Sequence, residues 1–136
     1  MKKINNQKKK IILFSAVLSC FVFSAYAYTG DCKGGTIIRA KNNETFCKSN
    51  VTMNWWSAAT WCKANGSRLA TMYEMCPDWD GTEGICTNLS IAHSYDYGWS
   101  STVSGNNSAF RVGLDKGNVS RGGAGREYNG NVAFCR

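Results

Sequence analysis

The chain has a single histidine, His93, and a single proline, Pro77, in 136 residues. One histidine is a poor basis for a hydrolase triad or an imidazole-bound metal, so His93-Ser94-Tyr95-Asp96 is read as a surface loop rather than a piece of acid–base machinery. None of the seven cysteines has C-x-x-C spacing, and this leaves a zinc knuckle or a thioredoxin-type redox motif without support. The longest apolar run, Ile11 to Phe23, falls short of the roughly 20 residues a helix needs to cross a hydrocarbon core. No lysine or arginine run follows Lys10, so the electrostatics of a phosphate-binding surface are missing and no nucleic-acid partner is expected. Internal repeats and long low-complexity stretches are also absent.

What is present begins with an export signal. Residues 1–10 hold five lysines and no acid, they lead into the apolar stretch, and small residues follow at Ala25 and Ala27. This arrangement predicts a signal peptide over residues 1–27, cleaved before Tyr28, with no membrane span after cleavage. Two alternatives stay open. An uncleaved apolar segment could act as a tether, and Val17-Leu18-Ser19-Cys20 offers a lipid-attachment cysteine, although the apolar run continues past it through Phe23. The formal charge of +7 belongs largely to the leader: eleven basic and nine acidic residues remain after it, a balance of +2. The remaining 109 residues, 28–136, fit one domain with a modest core.

Six cysteines follow the leader: Cys32, Cys47, Cys62, Cys76, Cys86 and Cys135. An even number in an exported chain predicts three disulfides and a secreted, periplasmic or cell-surface location. Six cysteines allow fifteen pairings, and spacing alone does not choose among them.

Thr36-Ile37-Ile38-Arg39 and Thr45-Phe46-Cys47 predict two short strands joined by the turn Lys41 to Glu44. From Trp55 to Ala64 the apolar residues Trp55, Ala58, Ala59 and Cys62 recur at helical spacing, with Asn54 or Thr52 as the cap and Asn65-Gly66 as the stop. Thr71-Met72-Tyr73-Glu74 fits a capping box that opens a second short helix, which ends before Pro77. Residues 77–97 are loop-like. Strand patterns return at Trp99 to Thr102, at Phe110 to Leu114, at Val119 to Arg121 and at Val132 to Cys135, with a glycine-rich loop from Gly122 to Gly125. The expectation is an α+β domain: two short helices, a mainly antiparallel sheet and long loops.

The stretches Ala58-Ala59-Thr60-Trp61-Cys62, Arg68-Leu69-Ala70-Thr71, Trp99 to Thr102, Phe110 to Gly117 and Ala133-Phe134-Cys135-Arg136, in this order, resemble the bacterial Lcl C-terminal domain family. That family has a C-type lectin-like fold and is related in fold to the formylglycine-generating enzymes. Ala70 stands where the family pattern has proline. The resemblance implies a C-type lectin-like domain in which Cys62 pairs with Cys135 and Cys32 with Cys47, leaving Cys76 for Cys86. Full pairing would leave no thiolate nucleophile of the kind the formylglycine-generating relatives use, and no enzyme activity is expected. The Glu-Pro-Asn, Gln-Pro-Asp and Trp-Asn-Asp motifs that hold calcium and sugar in C-type lectins are absent, so sugar binding by that route is not implied.

Trp55, Trp56, Trp61 and Trp99 lie on predicted helix or strand faces and are assigned to the core. Trp79, Tyr95, Tyr97 and Tyr128 lie in polar loops; with Asn106, Asn107, Arg111 and Arg126 they form the candidate contact surface for glycan or protein, loop packing being the alternative. Asp78, Asp80 and Glu83 alternate around Gly81, a pattern that gathers hard oxygen ligands and makes calcium the one cofactor to weigh, against a plain solvated acidic turn. The sequons at Asn50 and Asn118 are read as chance. The expected function is a non-catalytic extracellular or envelope recognition module, adhesin-like or ligand-displaying; the alternative is a structural cell-envelope component without a specific ligand.

Overall fold

A computed structural model describes residues 27–121 and 125–136. The signal segment through Tyr26, the Cys20 lipid alternative and most of the Gly122–Gly125 loop lie outside these residues. The elements in chain order are β1 (Gly35–Arg39), β2 (Thr45–Met53), α1 (Trp55–Ala64), α2 (Met72–Met75), β3 (Gly84–Ile85), β4 (Tyr97–Gly105), β5 (Ser108–Gly113), β6 (Asn118–Ser120) and β7 (Asn131–Cys135). The strands form one seven-stranded sheet in the order β1-β2-β7-β4-β5-β6-β3, antiparallel throughout except where β4 runs parallel to β7. The domain is thus α+β with a mixed sheet. Among the described residues no helix is long and apolar enough to cross a membrane.

Strand alternation gives the sheet two faces. On one, Val132 and Phe134 of β7 join Phe110 and Val112 of β5, Phe46 of β2, and Met72 and Met75 of α2; Leu89 from the long loop completes this cluster. The rings of Phe46 and Phe134 stack at 4.7 Å. On the other face Ala133, Cys135, Cys47, Ala109 and Trp99 meet Ala58 and Cys62 of α1. Trp99 is wholly buried, and its indole donates to the Met53 carbonyl at 2.9 Å, so its polar edge does not oppose burial.

Both helix starts follow their local chemistry. The Asn54 side chain accepts from the Ser57 amide at 2.9 Å, and Gly66 at φ 73° closes α1 in the left-handed region that glycine enters freely. Thr71 and Glu74 form the reciprocal capping box, and Arg68 grips Glu74 through Nη1 and Nη2 of its guanidinium. Between the helices, Arg68 to Ala70 wedges into the sheet where β4 and β7 diverge: Ala70 donates to Phe134 O at 2.9 Å and accepts from the Ser101 amide at 2.8 Å.

The disulfides are Cys32–Cys47, Cys62–Cys135 and Cys76–Cys86, the pairing that the resemblance implies. The Cys76–Cys86 loop is pinned from outside as well, since the Cys86 amide donates to Gly117 O at 2.7 Å. Gly117 itself sits at φ 74°, where a Cβ would strike the Cys86 carbonyl.

Three expectations need correction. Trp56, assigned to the core, is 45% exposed, because it lies off the stripe that Ala58 and Cys62 bury. β2 continues to Met53 rather than ending at Cys47, and the loop-like stretch 77–97 contains β3 and the first residue of β4. In both places pairing with strands distant in sequence holds a polar segment extended, against its local pattern.

Candidate functional site

The α1 face of the sheet carries a polar cluster beside the N-terminus of that helix. Arg111 on β5 lies opposite Trp99 of β4 and Ser120 of β6, and Tyr97, two residues before Trp99, shares the face. The Arg111 guanidinium stands over the Tyr97 ring, 4.7 Å from its centroid, and 5.6 Å from the centroid of Tyr128. Arg111 Nη1 donates to Asn131 Oδ1 at 3.0 Å. Asn131, paired with Met53 at the start of β7, is 1% exposed.

The turn that carries Tyr128 is locked to the β4–β5 hairpin. Arg126 N donates to Asn107 O at 2.9 Å and Asn107 Nδ2 to Glu127 Oε1 at 2.8 Å; the latter bond holds the Glu127 carboxyl below its ordinary range. Arg126 also accepts from the Trp55 amide at 3.0 Å through its carbonyl and lays its guanidinium 4.6 Å over the Trp55 ring. The turn is therefore fastened to both the hairpin and the first residue of α1.

Two features of this cluster bear on chemistry. Among the described residues the carboxylate ion pairs are Lys33–Asp31, Lys48–Asp96, Arg68–Glu74 and Arg136–Glu44, and neither Arg111 nor Arg126 takes part in one. In addition, Arg111 Nε, Arg126 Nε and Asn131 Nδ2 are buried with no hydrogen-bond partner among the described residues. A buried donor left unmet costs about 1–3 kcal/mol, so these three donor nitrogens mark a place suited to an acceptor.

Of the sequence-predicted contact residues, Tyr97, Asn107, Arg111, Arg126 and Tyr128 thus belong to one connected patch. Asn106 is exposed at the tip of the same hairpin. Tyr95 is 78% exposed in the loop before β4. Trp79 departs from the expectation: it lies on the opposite face, edge-on to Phe110 at 4.9 Å and Tyr73 at 5.1 Å, with its indole N–H on Thr82 O. A large ring beside a buried phenylalanine gains more from packing than from exposure.

The acidic residues of the Cys76–Cys86 loop turn to separate donors. Asp78 accepts from Thr87 Oγ1 at 3.4 Å, Asp80 from the Thr82 amide and hydroxyl at 3.0 and 2.7 Å, and Glu83 from the Arg121 amide at 3.0 Å. The Thr82 bonds hold the Asp80 carboxyl below its ordinary value. Among the described residues no group of three His, Cys, Asp or Glu side chains is arranged to hold a metal ion. His93 is exposed at φ 62°, and the six described cysteines are all disulfide-bonded.

One feature escaped the sequence reading. Val51 and Met53 of β2 and Trp56, Thr60, Trp61 and Ala64 of α1 line an open, largely apolar groove of about 590 Å³. Its signal was available, since Trp56, Thr60 and Ala64 follow one another at i, i+4 and i+8 on the side of α1 away from the Ala58–Cys62 stripe. Compared with family models, curated proteins and solved structures, the chain finds no match.

Proposed function

We propose that the chain is an exported, non-catalytic recognition module of the C-type lectin-like class, akin to the Lcl C-terminal domain family, which meets a glycan or protein at the envelope or outside the cell. The Tyr97–Arg111–Tyr128 stack on Asn131 carries the proposal. It combines amphipathic rings with a cation that has no carboxylate partner among the described residues and with unmet donors on strands, beside a turn fastened to both sheet and helix, which is the chemistry of a contact surface on a rigid support. Three disulfides suit an oxidising destination. Without calcium motifs of the C-type lectin kind, binding is expected to be independent of calcium.

The test is a glycan array together with capture from envelope fractions, using oxidised protein that begins at Tyr28, with and without chelator. A Tyr97→Ala/Tyr128→Ala variant should lose the signal, whereas Trp56→Ala should keep it. A ligand retained by the first variant and lost by the second would move recognition to the apolar groove. The packed state of Trp79 favours a second reading, a structural envelope component whose loop aromatics serve stability. Absence of any captured ligand, together with a lowered melting temperature in the tyrosine variant, would favour that reading.

A further inference from the structure

We infer that the Arg111–Asn131 pair is the subsite for the carboxylate of an acidic sugar, an inference that rests on the recognition role proposed above and names its ligand class. The chemistry starts from the hydrogen bond already made. An arginine only donates, so its bond to Asn131 fixes the amide with Oδ1 toward Nη1 at 3.0 Å. The amide nitrogen faces away as a donor, and Asn131 Nδ2 and Arg111 Nε are both buried with no acceptor among the described residues. Because Asn131 is 1% exposed, bulk water does not serve it. Both open groups of the pair thus seek an acceptor, and none of the donors here would welcome a cation or a second amide N–H.

Charge narrows the choice. Neither Arg111 nor Arg126 pairs with a carboxylate among the described residues, and the one nearby acid in the turn, Glu127, is bonded to Asn107. Two guanidinium groups against one carboxylate leave the patch positive. A planar anion with two oxygens in one plane matches the edge of a guanidinium, which offers adjacent N–H groups in a fixed fork. A carboxylate is planar, whereas a phosphate or sulfate presents a tetrahedral array.

The tyrosines argue for a sugar as the carrier. Tyr97 lies close against the guanidinium, while Tyr128 is farther from it and 44% exposed. A carboxylate bound at the Arg111 edge would set its sugar beside the exposed Tyr128 ring, whose face can pack on the C–H side of a pyranose. A short, fastened turn bearing one exposed aromatic suits a single ring better than an extended peptide.

Nuclear magnetic resonance on the oxidised, exported chain tests this directly, with D-glucuronate as probe and D-glucose at equal concentration as the neutral control. Glucuronate should shift the Arg111 Nε–H and Asn131 side-chain amide signals and the Tyr128 ring signals, and glucose should leave them in place. Arg111→Lys keeps the charge but removes the planar fork, and should weaken glucuronate binding at least about tenfold. Lys63→Ala, exposed in the last turn of α1 and away from the patch, should bind as wild type does, and an unchanged melting temperature in Arg111→Lys separates its loss of binding from a folding defect. Equal shifts with glucose, wild-type binding by Arg111→Lys, or shifts with poly-glutamate but not glucuronate would each overturn the inference. A neutral glycan captured on the array through Tyr97 and Tyr128 would remove the carboxylate and leave the recognition role standing; loss of that role would instead show as no array ligand sensitive to these tyrosines.

Discussion

Glu74 joins three local demands: it closes the capping box with Thr71, receives Arg68 through both carboxylate oxygens and keeps its own charge while partly buried. Burial pushes its carboxyl upward, but the Arg68 guanidinium and the Thr71 amide together outweigh burial and hold it below the ordinary value. A depressed carboxyl contributes stability that is complete above the usual glutamate value of about 4.3 and is lost as pH falls through the folded value. Urea unfolding of Glu74→Gln should therefore show lower stability than wild type at neutral pH and a shallower decline on acidification toward about pH 3; parallel curves would mean that the pair contributes nothing. The capping box was legible because it spans only four residues of sequence. The Arg111 site was legible only in outline. Alternation sets Arg111 on the face opposite Phe110, but its meeting with Tyr97, Tyr128 and Asn131 depends on β4, β5 and β7 lying in one sheet, and no local pattern fixes that order.

Among the elements, β2 shows how tertiary contacts override a polar segment. Its register with β7 slips between Lys48 and Thr52, and Ser49 fills the gap: the hydroxyl accepts from the Ala133 amide at 2.9 Å and donates to Val51 O at 2.7 Å. Ser49 is wholly buried, so Ser49→Ala strands an amide and a carbonyl at the bulge. We expect a loss of about 1–3 kcal/mol in denaturant melts, with faster amide exchange at Ala133; a neutral effect would show that water replaces the hydroxyl. The bounds of α1 could be read from sequence because its cap, stripe and stop are all local. β2 beyond Cys47 and the two-residue β3 could not, since their partners β7 and β6 lie far along the chain. The Trp56 misassignment had another origin, for the residue type suggested burial while the helical spacing, correctly placed, put it outside.

At the scale of the molecule, the Cys62–Cys135 bond spans 73 residues and ties α1 to the last strand, whereas Cys32–Cys47 and Cys76–Cys86 close spans of 15 and 10. Chain entropy assigns the long loop about 4 kcal/mol and the short ones about 3 kcal/mol each. Cys62→Ala/Cys135→Ala should lower the melting temperature more than either other paired replacement, and calorimetry of the three variants checks the ranking; equal losses would point to local strain or packing rather than loop closure. Tyr28 and Arg136 meet at one residue: the Tyr28 amide donates to the Thr45 hydroxyl, and Arg136 Nη1 donates to the Thr45 carbonyl at 2.9 Å. A pull applied at these two points would enter and leave the domain at the same corner. It would peel that corner before loading the strands around Arg111, and the Cys62–Cys135 bond would halt the peeling at the end of β7. The Arg111 patch beside the N-terminus of α1 would thus keep its geometry under such a pull.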